Sequence, residues 1–144
     1  MKFIAPTAPM LVLVSLLAGC ATSGVKYAEL SPQALEFSPD SGRLYFYRTS
    51  ALGAAVQPEV KLDGEVVGTA VAEGYFYVDR APGTYQISTS TEVERTLTVT
   101  VDKGQTRYVR LNMSFGFFLG HVTPILVDEE TAKKEIRDCH YIGK

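Results

Sequence analysis

From Arg43 onward the chain alternates between apolar and polar positions. Leu44, Phe46 and Arg48 fall on one side of an extended segment, Tyr45 and Tyr47 on the other. This is the period of two that a β-strand imposes on its side chains. Val60-Lys61-Leu62 and Glu65-Val66-Val67 flank Asp63-Gly64, a pair suited to a tight hairpin because both turn residues need positive φ. Tyr75-Phe76-Tyr77-Val78 follows a turn at Gly74, and Pro82-Gly83 opens Thr84 to Ser88. Thr96 to Val101 alternates threonine with Leu97, Val99 and Val101, as expected of a strand with one wet face. Asp102-Lys103-Gly104 then turns the chain into Thr106 to Leu111. About seven short strands separated by turn signals predict a mainly β fold, an antiparallel β-sandwich over residues 42–144.

The C-terminal part departs from this pattern. Phe115-Gly116-Phe117-Phe118-Leu119-Gly120 is an apolar, glycine-bracketed segment, and His121 to Val127 reads as an edge strand because it contains Pro124. Asp128 is placed to cap a short α-helix reaching about Cys139, with Glu129 and Glu130 in its first turn. Ala132, Ile136 and Cys139 share one face of that helix, which predicts that it packs on the sandwich through this stripe.

The N-terminus carries an address. Lys2, the apolar stretch from Met10 to Leu17, and the small residues Ala18 and Gly19 have the three-part form of a secretory signal. Leu17-Ala18-Gly19-Cys20 resembles the lipobox of bacterial lipoproteins. The resemblance implies cleavage between Gly19 and Cys20 and a diacylglyceryl group on the Cys20 thiol, tying the chain to a lipid bilayer. Two acyl chains suffice for stable anchoring. Ala21, where an Asp typically signals inner-membrane retention, implies the periplasmic side of the outer membrane. Residues 21–41 are rich in Ser, Thr, Gly and Pro and read as a tether, with a short turn around Pro32 to Phe37. The domain organisation expected is a signal peptide at 1–19, a lipidated N-terminus and tether at 20–41, and the sandwich with its helix at 42–144.

Composition narrows the partners. Without residues 1–19 the chain has 13 basic and 16 acidic side chains, a net charge of −3. Charges of both signs are interspersed, which excludes the basic face that nucleic acid requires. Once Cys20 is acylated, Cys139 has no intramolecular partner and is either buried or available for an intermolecular disulfide.

Leu44-Tyr45-Phe46-Tyr47-Arg48, Val60 to Gly68 and Ala81-Pro82-Gly83-Thr84-Tyr85-Gln86-Ile87 together resemble a family of small bacterial lipoproteins carrying a domain of unknown function. The pattern is also similar to PEGA and transthyretin-like sandwich modules. The resemblance implies a transthyretin- or immunoglobulin-like fold and a periplasmic setting over roughly residues 42–127, and brings no catalytic residue with it.

The chemistry-bearing residues support binding more readily than catalysis. Cys139-His140 are adjacent and so face different ways on a helix, which favours packing over a nucleophile–base pair. His121, His140 and Cys139 lack metal-ligand spacing, and no Gly-x-Ser-x-Gly or phosphate-binding loop occurs. No metal site, cofactor or enzymatic activity is expected. Arg48, on the Leu44/Phe46 face, calls for an acidic partner such as Asp63 or Asp79, or for an anionic ligand. Tyr45 and Tyr47 share one face of their strand, Tyr75 and Tyr77 one face of theirs. On neighbouring strands they form either an outer platform for glycan or peptide, or a set of core and cross-strand contacts. Phe117 and Phe118 lie in a segment either tucked under the helix or exposed to a membrane or partner. The function expected is a structural or interaction module of the cell envelope. The alternative is a binding module for peptidoglycan, glycan or a small ligand through exposed tyrosines.

Overall fold

The computed structural model describes residues 24–117 and 120–143. Among the described residues, nine strands form two facing sheets. One has the order β8-β7-β1-β4-β9, the other β3-β2-β5-β6. The strands are β1 (Gly42–Tyr47), β2 (Glu59–Leu62), β3 (Glu65–Thr69), β4 (Gly74–Arg80), β5 (Gly83–Ser90), β6 (Glu94–Val101), β7 (Thr106–Phe115), β8 (Gly120–Val127) and β9 (His140–Tyr141). Two short helices flank them, α1 (Pro32–Leu35) and α2 (Glu129–Glu135), the latter running into a 3-10 turn at Ile136–Asp138.

The turn chemistry acts where the alternation places it. Asp63 and Gly64 both have positive φ, 50° and 85°, closing the β2–β3 hairpin. Asp63 also fastens this hairpin to β5, its carboxylate accepting from the Gln86 N–H at 2.7 Å. Pro124 sits in β8, at an edge of the five-stranded sheet, where a missing N–H costs no ladder bond. Asp128 caps α2, its Oδ1 accepting from the Thr131 N–H at 2.9 Å.

Two pairings depart from an all-antiparallel sandwich. β1 runs parallel to β7, with Tyr45 opposite Tyr108, and β4 runs parallel to β9. Parallel neighbours require a crossover. Strands β2, β3, β5 and β6 supply it by crossing to the second sheet before β7 returns beside β1.

The aliphatic core lies between the sheets. Leu44, Phe46, Val109, Leu111 and Val122 meet Val60, Leu62, Ile87, Val99 and Val101. A second apolar layer lies on the outer face of the five-stranded sheet, where Ala132, Ile136 and Cys139 pack onto tyrosines. The stripe predicted for the C-terminal helix is therefore buried.

The tether expectation does not hold for residues 24–41. Lys26 bridges to His140, the Tyr27 N–H donates to the Cys139 carbonyl at 3.0 Å, and Tyr27 and Leu30 pack into the outer layer. Serine and proline here cap and start α1, with Ser31 Oγ accepting from the Ala34 N–H at 3.3 Å.

Candidate functional site

The tyrosines lie on one face, as their spacing predicts. Tyr45 stands opposite Tyr77, and Tyr47 opposite Tyr75. That face is covered. Tyr45, Tyr47 and Tyr75 are buried beneath Tyr27 and Leu30 on one side and Ala132, Ile136 and Cys139 on the other. They are not an accessible platform for glycan or peptide, because β1 is buried along its whole length and on both faces. Tyr77 is only half-buried.

The layer is built from ring contacts closed by polar pairs. Tyr45 stacks on Tyr108 with centroids 5.3 Å apart, and Tyr27 meets Tyr45 and Tyr75 edge-on at 5.5 and 5.6 Å. Such pairs contribute about 0.5–1.5 kcal/mol beyond the area they bury. The Tyr27 and Tyr108 hydroxyls are 3.1 Å apart. Tyr47 donates to Glu135 Oε2 at 2.7 Å, while Arg110 donates to Glu135 Oε1 at 2.7 Å, fixing α2 to β1 and β7. Tyr45 and Tyr75 hydroxyls are buried without a hydrogen-bond partner among the described residues. Burial, above all, pushes the Tyr47, Tyr75 and Tyr108 hydroxyls well above the ordinary tyrosine range.

Arg43 closes the layer at one end, a role the alternation could have revealed. It shares the face of Tyr45 and Tyr47, and its antiparallel partner is Asp79, on the face of Tyr75 and Tyr77. Its guanidinium forks onto the Asp79 carboxylate at 2.7 and 2.9 Å and lies 4.0 Å from the Tyr77 ring centroid. It also donates to the Ala34, Leu35 and Glu36 carbonyls, drawing α1 onto the sheet. Burial alone would lower the Arg43 pKa, but the Asp79 carboxylate overrides it and the net direction is up.

Arg48 has neither of its expected acidic partners. Asp79 is taken by Arg43, and Asp63 lies in the β2–β3 turn. Arg48 is 0% exposed and donates to four carbonyls, those of Val56, Ala70, Leu52 and Gly53, at 2.6–2.9 Å. Desolvation lowers its pKa. The segment 49–58 has no charged side chain, and its carbonyls converge on this one buried cation. Arg48 is thus the internal post on which the β1–β2 loop is wound. Cys139 packs nearby, its thiol 3.7 Å from the Arg48 carbonyl. Burial pushes that thiol up to about 12, which keeps it protonated and unreactive at neutral pH.

One end of the sandwich gathers exposed apolar side chains, with Glu92 and Glu94 on either side of Val93. The β1–β2, β5–β6 and β7–β8 loops meet there. Thr91 Oγ1 is 3.1 Å from His121 Nδ1, and the Met113 side chain lies against both Gly53 and Gly120. The exposed large apolar side chains at this end are Leu52 at 62%, Val93 at 50%, Phe115 at 63% and Phe117 at 97%. Phe115 and Phe117 extend beyond the C-terminal helix instead of tucking under it, because β7 runs past the end of β1. Gly19, Cys20 and Phe118 lie outside the described residues. Among the described residues, no group of three or more His, Cys, Asp or Glu side chains converges as metal ligands.

Comparison with known proteins assigns the chain to a family. It is 33% identical over 125 residues to an uncharacterized protein of Haemophilus influenzae, a match covering 84% of this chain and 74% of that protein. Residues 38–122 match the family described as a protein of unknown function (DUF2846), a span that runs from just before β1 into β8. On this match the chain belongs to the DUF2846 family.

Proposed function

We propose that the protein is a bacterial lipoprotein, anchored through acylated Cys20 on the periplasmic side of the outer membrane, that works as an interaction module of the cell envelope. The kinship with PEGA and transthyretin-like sandwich modules belongs to the same reading. Anchoring draws its support from Leu17-Ala18-Gly19-Cys20. The observation that carries the interaction role is the apolar end, where Leu52, Val93, Phe115 and Phe117 are exposed on three adjoining loops. Exposed apolar surface gathered at one place marks a contact site. The partner suited to it is an envelope protein with an apolar recess: neither 49–58 nor 114–117 carries a charged side chain, and Glu92 and Glu94 lie beside Val93 on the third loop.

The test is in-cell crosslinking with mass spectrometry, comparing the wild-type chain with a Phe115→Ser/Phe117→Ser variant. The wild type should give a reproducible protein crosslink through the apolar end, and the variant should lose it while remaining folded and membrane-bound. A crosslink pattern that the double substitution leaves unchanged overturns the contact site. Wild-type chain in the soluble periplasmic fraction overturns the anchor.

A further inference from the structure

The sandwich is closed along one side and open along the other. On the closed side β8 folds over β5 and β6, and Thr89 Oγ1 donates to the Val122 carbonyl at 2.5 Å. On the open side, edge strand β3 faces β4 and the C-terminal tail across a groove of about 490 Å³. Its walls include Val66, Val67, Phe76, Val78, Tyr141 and Ile142, and Glu59 is the charged side chain on them. The floor is sealed where Gly68 meets Phe76: a β-carbon on Gly68 would lie 2.5 Å from the ring. The groove therefore runs along the surface without opening into the core. Its volume falls in the range of small-molecule sites. Val66, on its rim, is left 49% exposed.

The described chain begins beside this groove. Lys26 pairs antiparallel with His140, and the Tyr141 N–H donates to the Val25 carbonyl at 2.9 Å. Because β9 runs parallel to β4, with Tyr75 level with Tyr141, the backbone at Gly24 points in its N-terminal direction along the rows of Phe76 and Val78. Those rows form one wall of the groove. Cys20 is four residue steps from Gly24, a reach of at most about 14 Å. An apolar chain carried on Cys20 is thereby within reach of the groove.

We infer that the groove between β3 and β4 holds one of the acyl chains attached to Cys20. This rests on the anchor reading given above. The occupant is part of the protein's own N-terminus, and the groove then sets which edge of the sandwich faces the bilayer: the β3/β4 edge, with the strands lying along the membrane surface.

Placing a photoreactive benzoylphenylalanine at Val66, in the full chain made in its native host, tests the inference. After irradiation and trypsin digestion, the acylated peptide 20–26 should be joined to peptide 62–80 within one chain, intact mass establishing a monomer. The same probe at Val71, on another part of the wall, should give the same product should Val66 not tolerate it. At Leu52, on the apolar end, it should not. Acylated peptide 20–26 that stays unjoined, with position 66 linked only to free phospholipid or to nothing, overturns the groove assignment and leaves the anchor standing. Peptide 20–26 without an acyl group overturns the anchor, and the assignment with it.

Discussion

On its inner face the five-stranded sheet offers Leu44, Phe46 and Val109 to a second sheet of valines, leucine and isoleucine. On its outer face it offers Tyr45, Tyr47, Tyr75 and Tyr108 to a helix and an N-terminal segment. The two faces belong to the same strands and are buried to the same degree, yet they specify structure differently. Between the sheets the packing is mainly hydrocarbon, with Arg48 and Thr89 bonded at its margins, and close packing of the right volume satisfies most of it. Each tyrosine of the outer face brings a hydroxyl that must find a partner or stay desolvated. Its geometry is therefore written in pairs: Arg43 with Asp79, Tyr27 with Tyr108, and Tyr47 with Glu135 and Arg110. A face built this way fixes which segments lie on it as well as how tightly.

The largest expected separation between the faces is alkaline. The groups whose deprotonation burial opposes lie in the outer layer. Below the ordinary values of 9.0 for the thiol and 10.0 for tyrosine, Cys139, Tyr47, Tyr75 and Tyr108 are protonated in both folded and unfolded chains. Their contribution to stability is then complete. Above those values the unfolded chain releases protons that the folded layer still holds, so stability falls as pH rises toward the raised folded values. The slope is about 1.4 kcal/mol per pH unit for each proton by which the two states differ. Denaturation between pH 8 and 12, followed with tyrosinate absorbance, should show unfolding and tyrosine ionisation in one transition. Smooth ionisation of these tyrosines in a folded chain would break the distinction.

Phe46→Ala comes next. Phe46 is fully buried and stacks on Phe76 at 4.9 Å, so the cavity should cost about 3–5 kcal/mol in urea or thermal melts. The smallest effects lie within the outer layer and grade it by partner. Tyr47→Phe removes a hydrogen bond to a carboxylate and should cost about 1–2 kcal/mol. Tyr45→Phe removes a buried hydroxyl that has no hydrogen-bond partner among the described residues and should be neutral, or stabilising by up to about 1 kcal/mol. Equal costs for the two tyrosine substitutions would show that the polar pairs do not specify the layer.

Alternation made the strands legible, since a period of two survives wherever at least one face is buried. The Asp63-Gly64 hairpin, the Asp128 cap and the Ala132/Ile136/Cys139 stripe were readable for the same local reason. The cover on the tyrosines was not. It consists of residues 24–35 and 129–139, far from β1 in sequence, and the first of these looks like a tether because Ser and Pro serve short helical turns as well as flexible linkers. Arg48 misled for a subtler reason. Its partners are backbone carbonyls, which every residue has and no side-chain pattern announces. The parallel β1–β7 pairing was hidden likewise, since alternation reports a strand's faces and not its direction.

The short strand β9 lies between β4 on one side and Gly24–Lys26 on the other, so the first described residues are seated on the last ones. Tyr27 and Cys139, hydrogen-bonded through their backbones, are separated by nearly the whole length of the domain. Contacts between segments so far apart in sequence form slowly, because the intervening chain must be ordered first. A chain delivered N-terminus first must therefore hold Tyr27 and Leu30 unseated until His140 and Tyr141 have arrived. Completion of the outer layer waits on both ends of the described domain.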